Sequence, residues 1–381
     1  MAVRRVWVII NGATGRMGTT QHLRNLMAIR AEGGLALAGG DLLVPEPVLV
    51  GRDAGRLAAL ADANGGLAWT TDLGAALAGP AEIFMDCGAT GGRPELVRRA
   101  IAAGKHVHVE KPTAPTSAEA MELAVLATRA GVKHGVIQDK LFLPGFARLL
   151  ALKQEGFFGR ILSARIDAGS WIFDGEEQEC QRPSWNYRAA DGGGLALDMM
   201  AHWRYMLDRL AAPVVAVVGQ LATAIPSRID EQGRRYAVDV EDTVQAMMRL
   251  EGGAIASVNN SWATRVRRDD TMCVQIDGTL GSAVAGRNRC FVQSLADTPE
   301  AFYGASQSGG MDFRAQWTGV ATDTTAKGPF RQCWELFLRH VCEDAPYAPT
   351  LVEGAKAVQL AEFVRRSDAE GRWLEMPTLA L

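Results

Sequence analysis

Over roughly the first 150 residues, short apolar runs alternate with longer stretches of helical spacing. Val6–Ile10, Pro47–Gly51, Leu67–Trp69, Ala81–Asp86, His106–Val109 and Lys133–Gln138 read as strands. Between them the Ala-, Leu- and Arg-rich segments Arg52–Ala63, Arg93–Ala103 and Ser117–Ala130 read as helices. Strands alternating with helices predict βαβ units and a parallel sheet, hence an α/β N-terminal domain over residues 1–150. The link between the first two strands runs through Glu32-Gly33-Gly34 to Val44-Pro45-Glu46-Pro47. It is long enough for a crossover helix and an insertion of about a dozen residues.

Beyond residue 150 the pattern changes. Ile161–Ala168, Val214–Ala222, Thr243–Leu250, Ala254–Ser261 and Met272–Ile276 are β-type runs, divided by turn signals such as Glu251-Gly252-Gly253 and Asp277-Gly278. One helix, Gly194 to about Leu210, interrupts them, and two more close the chain near Gln332–Cys342 and Val352–Arg365. This predicts an α+β domain over 151–381 with a large, mainly antiparallel sheet and helices on one face. The closing helices are free to pack back on the first domain.

Composition narrows the classes. With 48% hydrophobic and 22% charged residues, a 381-residue chain buries a core without disulfide or metal staples. A formal net charge of -3 offers no global basic field for nucleic acid. Cys87, Cys180, Cys273, Cys290, Cys333 and Cys342 form no C-x-x-C pair and no zinc spacing, so they read as structural thiols of a reducing compartment, with no metal expected. Met1 to Ile10 reads as a first strand rather than a signal peptide, and no apolar stretch reaches the length of a membrane span. A cytoplasmic protein is the expectation.

Three polar constellations carry the chemistry. The first strand feeds into Asn11-Gly12-Ala13-Thr14-Gly15-Arg16-Met17-Gly18. Glycines here serve a tight turn, close backbone approach to a pyrophosphate, and close helix–strand packing. The following helix N-terminus then offers N–H groups to phosphates. Gly12, Thr14, Gly15, Arg16 and Met17 are therefore candidate cofactor contacts, although the spacing varies from G-x-G-x-x-G. After the second strand come Arg52 and Asp53: an arginine suits a ribose 2′-phosphate, an acid suits the ribose hydroxyls, and Asp53 suits a helix N-cap as well. The cofactor is NAD or NADP, with a slight lean to NADP from Arg52.

The second constellation is Glu110-Lys111-Pro112, at the carboxyl end of a strand, where open parallel sheets bind ligands. Glu110 and Lys111 join the cofactor set; Pro112 restricts Lys111. A desolvated lysine there can share or donate a proton, whereas a plain surface ion pair is the structural alternative. The third is the segment Asp191-Gly192-Gly193-Gly194 followed by Asp198 and His202, four apart and so on one helix face. The glycines allow close approach of a ligand to the backbone. Histidine suits the proton removal that accompanies loss of hydride from an alcohol, and a neighbouring carboxylate orients it. As a bare pair they equally fit an ordinary helix-stabilising contact. Nearby, Trp185 and Tyr187 offer ring faces for a sugar or anchors for a loop; Trp171, Trp203 and Trp262 suit the core or an interface; and Arg265 to Arg268 with Asp269-Asp270 reads as a solvated loop.

Together the glycine turn, Glu110-Lys111-Pro112 and the Asp198–His202 segment resemble the glucose–fructose oxidoreductase / inositol dehydrogenase / MocA family over nearly the whole chain. The resemblance implies a Rossmann domain, a second domain with a large open sheet, and hydride transfer between nicotinamide and a secondary alcohol of a sugar or cyclitol. It implies Lys111, Asp198 and His202 as the catalytic set. It adds Asp139 and Lys140, after the sixth strand, to the substrate contacts Lys111, Trp185, Tyr187, Asp198 and His202. That stretch lacks the asparagine and arginine common in the family. A homodimer or homotetramer is implied too. Two other activities fit the same scaffold: tightly bound NAD recycled within glycoside hydrolysis or epimerisation, and non-catalytic regulation by nucleotide binding. The glycine turn also looks like the opening of dihydrodipicolinate reductases, which are shorter and lack the other two constellations.

Overall fold

A computed structural model describes residues 2–172, 182–265, 270–299 and 312–381. Cys180, Val266, Arg267, Arg268 and Asp269 lie outside the described residues. The chain forms two compact units, one of residues 1–139, 327–359 and 379–381, the other of 140–326 and 360–378.

The first unit is built on β1 (Val3–Asn11), β2 (Leu35–Ala36), β3 (Leu42–Val50), β4 (Ala68–Thr70), β5 (Ile83–Asp86), β6 (His106–Val109) and β7 (His134–Val136). The sheet runs β2-β3-β1-β5-β6-β7, with β4 also on β3. Apart from the antiparallel β2, its pairings are parallel. Chain order reverses at β1, between β3 and β5, which makes its carboxyl end the switch point where open α/β sheets take ligands. Helices α1 (Arg24–Ala31), α2 (Ala54–Asp62), α3 (Leu73–Ala78), α4 (Arg93–Ala102) and α5 (Ser117–Arg129) connect the strands. A π-helical segment, Gly18–Leu23, leads directly into α1. Ile9, Phe84, Val97, Val107, Val109, Leu123 and Val136 form the core between sheet and helices.

Strand β3 starts five residues earlier than the expected Pro47 and passes through Pro45 and Pro47. The reason is positional. These prolines sit two apart, so their missing N–H groups face the same side. That side is the gap between β2, which pairs only up to Leu43, and β4, which pairs only from Val48. No ladder bond is lost there. Glu46, buried between the two prolines, takes ion pairs from Arg5 and Arg30.

The second unit opens with α6 (Pro144–Gln154), so the boundary expected at residue 150 falls inside a helix that belongs wholly to this unit. Its strands are β8 (Ile161–Gly169), β9 (Val214–Ala222), the hairpin β10 (Ser227–Ile229) and β11 (Arg235–Ala237), β12 (Thr243–Leu250), β13 (Ile255–Ser261), β14 (Met272–Gly278), β15 (Gly281–Ala285), β16 (Cys290–Ser294), β17 (Thr318–Val320) and β18 (Leu374–Glu375). Nine of these, among the described residues, make one sheet in the order β17-β16-β15-β14-β8-β13-β12-β9-β18. All its pairings are antiparallel except β13 with β8. Along β12 burial alternates residue by residue, Val244, Ala246 and Met248 inward, Gln245, Met247 and Arg249 outward. Helix α7 (Ala201–Leu210) follows a second π-helical segment, Ala196–Met200. Helix α8 (Pro329–Glu343) belongs to the first unit, and α9 (Leu351–Glu370) passes from the first into the second at Gln359–Leu360. No helix among the described residues is long and apolar enough to cross a membrane.

Candidate active site

The glycine turn divides its labour. Gly12 has φ +79°, and a Cβ there would lie 3.0 Å from the Gly88 nitrogen, so it is the residue of the tight turn. Gly18 is buried, and its Cβ would meet Gly12 O at 2.5 Å, which makes it the helix–strand packing glycine. Gly15 is exposed and a Cβ would meet only Gly12 O, so its outer side is open to a ligand. Val50 O accepts from the N–H groups of Gly12 (3.0 Å) and Ala13 (3.2 Å), and Gly12 O from Gly15 (2.9 Å). The N–H groups that follow, at the start of the helix through Arg16 and Met17, are those a pyrophosphate would meet. This cradle fits a dinucleotide. Thr14 contributes its carbonyl to structure, accepting from Arg56 Nη2 at 2.7 Å. Arg56 thereby ties α2 to the turn, a link with no signal in the sequence.

At the end of β3, Asp53 is the N-cap of α2, its carboxylate accepting from Arg56 N at 3.0 Å. Arg52 beside it is exposed. The cap accounts for the acid by helix physics alone.

Glu110 is buried and Lys111 half-buried at the carboxyl end of β6, and the Lys111–Pro112 bond is cis. Three side chains to which the sequence assigns no such role hold this corner. Arg93, buried on α4, donates through Nε to Asp86 Oδ2 (2.7 Å), through Nη2 to Gly88 O (2.7 Å) and through Nη1 to Pro112 O. Asn11 Nδ2 donates to the other Asp86 oxygen at 2.6 Å. One buried ion pair thus links the ends of β1 and β5, the Gly88 turn and Pro112. His22, in the π-helical segment, lies with Nε2 2.9 Å from Glu110 Oε1. Burial works against the Glu110 charge, but the His22 hydrogen bond and the nearby Lys111 and Arg93 cations outweigh it and hold the carboxyl below its usual range.

In the second unit Asp198 sits within the π-helical segment and His202, buried, in the first turn of α7. Asp198 Oδ2 accepts from Arg182 Nη2 at 3.1 Å; the same nitrogen reaches Asn186 Oδ1 at 2.9 Å, and the guanidinium lies 4.3 Å over the Trp262 ring. Arg182 is a further residue that pattern reasoning missed. The glycines before this helix answer local backbone and packing demands. Gly192 takes the left-handed turn (φ 77°), Gly193 would place a Cβ 2.5 Å from Asn186 O, and Gly194 would meet Glu241 at 2.6 Å. Glu241 Oε1 accepts from Ala196 N (2.9 Å) and from Arg365 Nη2 (2.8 Å), fixing the start of the helix.

The remaining candidates separate. Tyr187 is fully buried, under the Arg228 guanidinium at 4.0 Å and edge-on to Trp262, and is a loop anchor. Trp185 is 47% exposed. Asp139 is buried at the end of the first unit, and Lys140, half-buried, opens the turn Lys140–Phe142 of the second. Trp203 and Trp262 are core residues, while Trp171 carries Arg265 at 3.4 Å over its ring. Burial pushes the Cys290 and Cys342 thiols up to about 11, which keeps them protonated and inert.

Residues 7–138 match the profile of an oxidoreductase family with an NAD-binding Rossmann fold, and residues 146–284 that of a GFO/IDH/MocA C-terminal domain. The chain is 43% identical to a D-xylose dehydrogenase of Paenarthrobacter nicotinovorans, over 99% of this chain and 98% of that one. It is 26% identical to a levoglucosan dehydrogenase of Pseudarthrobacter phenanthrenivorans, over 75% of this chain and 77% of the relative. Among solved structures, apo levoglucosan dehydrogenase superposes with a TM-score of 0.83 at 21% identity over the full length of both chains. The same enzyme in complex with NADH gives 0.81, at 21% identity over 99% of this chain and 100% of that one; both show the shared fold.

Proposed function

The chain belongs to the glucose–fructose oxidoreductase / inositol dehydrogenase / MocA family, and from that membership we propose an aldose dehydrogenase that accepts D-xylose. It is an oxidoreductase of CH–OH groups with an NAD-binding Rossmann domain. The substrate reading rests on the end-to-end 43% identity to a D-xylose dehydrogenase, joined to a complete proton-transfer set in this sequence.

Oxidising an alcohol removes a hydride from carbon and a proton from oxygen. A nicotinamide dinucleotide supplies the hydride acceptor. This chain's side chains deal with the proton and the position of the sugar. In the proposed assignment His202 takes the hydroxyl proton, Asp198 orients it, and Lys111 polarises the reacting oxygen. Arg182, by holding Asp198 at 3.1 Å, sets the direction of that carboxylate. Trp185, Asp139 and Lys140 are assigned to sugar contacts. The coenzyme choice is assigned to Arg52, with NAD accepted and NADP favoured by the 2′-phosphate contact.

The test is direct. Purified protein given D-xylose, levoglucosan or inositol with NAD+ or NADP+ should raise nicotinamide absorbance most with D-xylose. His202→Ala should cut kcat by roughly a hundredfold or more while coenzyme affinity stays within about twofold. Unchanged turnover in that variant would remove His202 from the mechanism. Release of unaltered NAD on denaturation, with no net reduction on any sugar, would favour internal recycling instead.

A further inference from the structure

Behind the Glu110-Lys111-Pro112 corner lies a buried polar chain that no part of the reaction assignment uses. Trp334 of α8 is fully buried, and its Nε1 sits 3.2 Å from His22 Nδ1. His22 is fully buried, and its Nε2 sits 2.9 Å from Glu110 Oε1. The other oxygen, Glu110 Oε2, accepts from the Lys111 backbone N–H at 3.2 Å. Phe330 and Trp334 meet the imidazole edge-on, with ring centres 5.7 and 5.9 Å away.

Chemistry fixes the protons along this chain. An indole N–H only donates, so His22 Nδ1 must accept. The ring proton then lies on Nε2 and is donated to Glu110. A second proton on Nδ1 would set donor against donor at 3.2 Å, so the geometry holds the neutral Nε2–H tautomer. The charged and titratable groups around the pair are few. Glu110 faces His22, Lys111, Arg93 and the Cys87 thiol, and His108, driven well below its usual range by burial, is the other imidazole near His22. The ring occupies a π-helical segment, a departure from regular helix that is frequent at functional sites.

We propose that His22 is a positioning residue for Lys111, holding the Glu110 carboxylate so that it grips the Lys111 backbone, with Trp334 selecting the imidazole tautomer that can do so. This rests on the assignment of Lys111 to the reaction. A core filler of the same size would need neither a hydrogen-bond donor nor an acceptor here. The relay needs both, on opposite ring nitrogens. It also makes α8, a late segment of the chain, a determinant of a residue more than 200 positions earlier.

The experiment compares His22→Leu, His22→Gln, Trp334→Phe and Lys111→Ala in the full chain. His22→Leu should lower kcat about tenfold or more. Coenzyme KM should stay within about twofold, and the limb of the kcat–pH profile should move, because only catalytic geometry and the Lys111 environment change. His22→Gln, whose amide oxygen can accept from Trp334 and whose NH2 can donate to Glu110, should restore most of both. Equal losses in His22→Leu and His22→Gln would mark a merely structural role and overturn the proposal. So would a wild-type profile in His22→Leu while Lys111→Ala is inactive. Full activity in Lys111→Ala would instead overturn the assignment on which the relay rests. Should the Leu variant fold poorly, 15N-histidine NMR of the wild type decides. His22 should be a single Nε2–H tautomer that becomes a mixture in Trp334→Phe, and an Nδ1–H signal in the wild type would overturn the relay.

Discussion

At the residue scale, position after a strand counts for more than residue type. Arg52 and Asp53 follow β3 side by side, yet they do different work. Asp53 commits an oxygen to the α2 N-cap at 3.0 Å, a contact worth about 1 kcal/mol that any dinucleotide would have to share. Arg52 is exposed and one residue nearer the strand end. A charge-assisted bond from an exposed guanidinium to a 2′-phosphate is worth enough to shift affinity by about tenfold. Arg52→Ala should therefore raise KM for NADP+ by about tenfold and leave KM for NAD+ within about twofold. Steady-state kinetics with both coenzymes at saturating sugar measures this, and an equal rise for both would assign Arg52 to the adenine or to the fold instead.

At the element scale, single side chains join segments distant in sequence, and these were the features least legible beforehand. The strands of the first unit showed themselves as apolar runs, because parallel strands buried on both faces must be apolar. The early part of strand β3 is not legible in the sequence, because Pro45 and Pro47 are compatible with a strand only where the gap between β2 and β4 leaves their side unpaired. Lys111, Asp198 and His202 stand out through the family resemblance, since as a bare i,i+4 pair Asp198 and His202 fit an ordinary helix contact. His22, Arg93, Asp86 and Arg182 do not, since their partners lie far off in sequence and no period records them. The start of α9 has a similar joint. Leu351 N donates to His134 Nδ1 at 3.2 Å, and His134 Nε2 meets Thr128 Oγ1 at 3.2 Å. Burial, with the nearby His340, pushes His134 from 6.5 down to about 4. The native state thus binds the proton less readily than the unfolded chain. Its contribution to stability is complete above about 6.5, shrinks as pH falls, and is gone below about 4. Tm should fall more steeply between about pH 7 and pH 4.5 in the wild type than in His134→Gln. Parallel curves would show that His134 does not titrate in this window.

At the scale of the whole molecule, the nine-stranded sheet of the second unit carries exposed apolar side chains on one face of β12 and β13. Met247 on β12 and Ile255 on β13 are 50% and 55% exposed, and with Arg249 paired to Ile255 across the strands they share that face. The buried face of the same strands carries Ala246, Met248, Ala256 and Val258, so the alternation that makes the core also leaves the outer row open. Nine strands at about 4.8 Å spacing and about six residues of length give a sheet face of roughly 900 Å². A stable protein–protein contact buries about 800 Å² per partner, so this one face is large enough to dimerise the chain. Large exposed apolar side chains on a sheet face are otherwise an aggregation hazard. We therefore expect light scattering to give a particle of at least twice the 40.9 kDa chain mass. Met247→Glu with Ile255→Glu should drive it toward monomer, because two carboxylates would be desolvated in each copy of the interface. A monomeric wild type would refute this assembly, whereas a dimer untouched by the double substitution would place the interface on another surface.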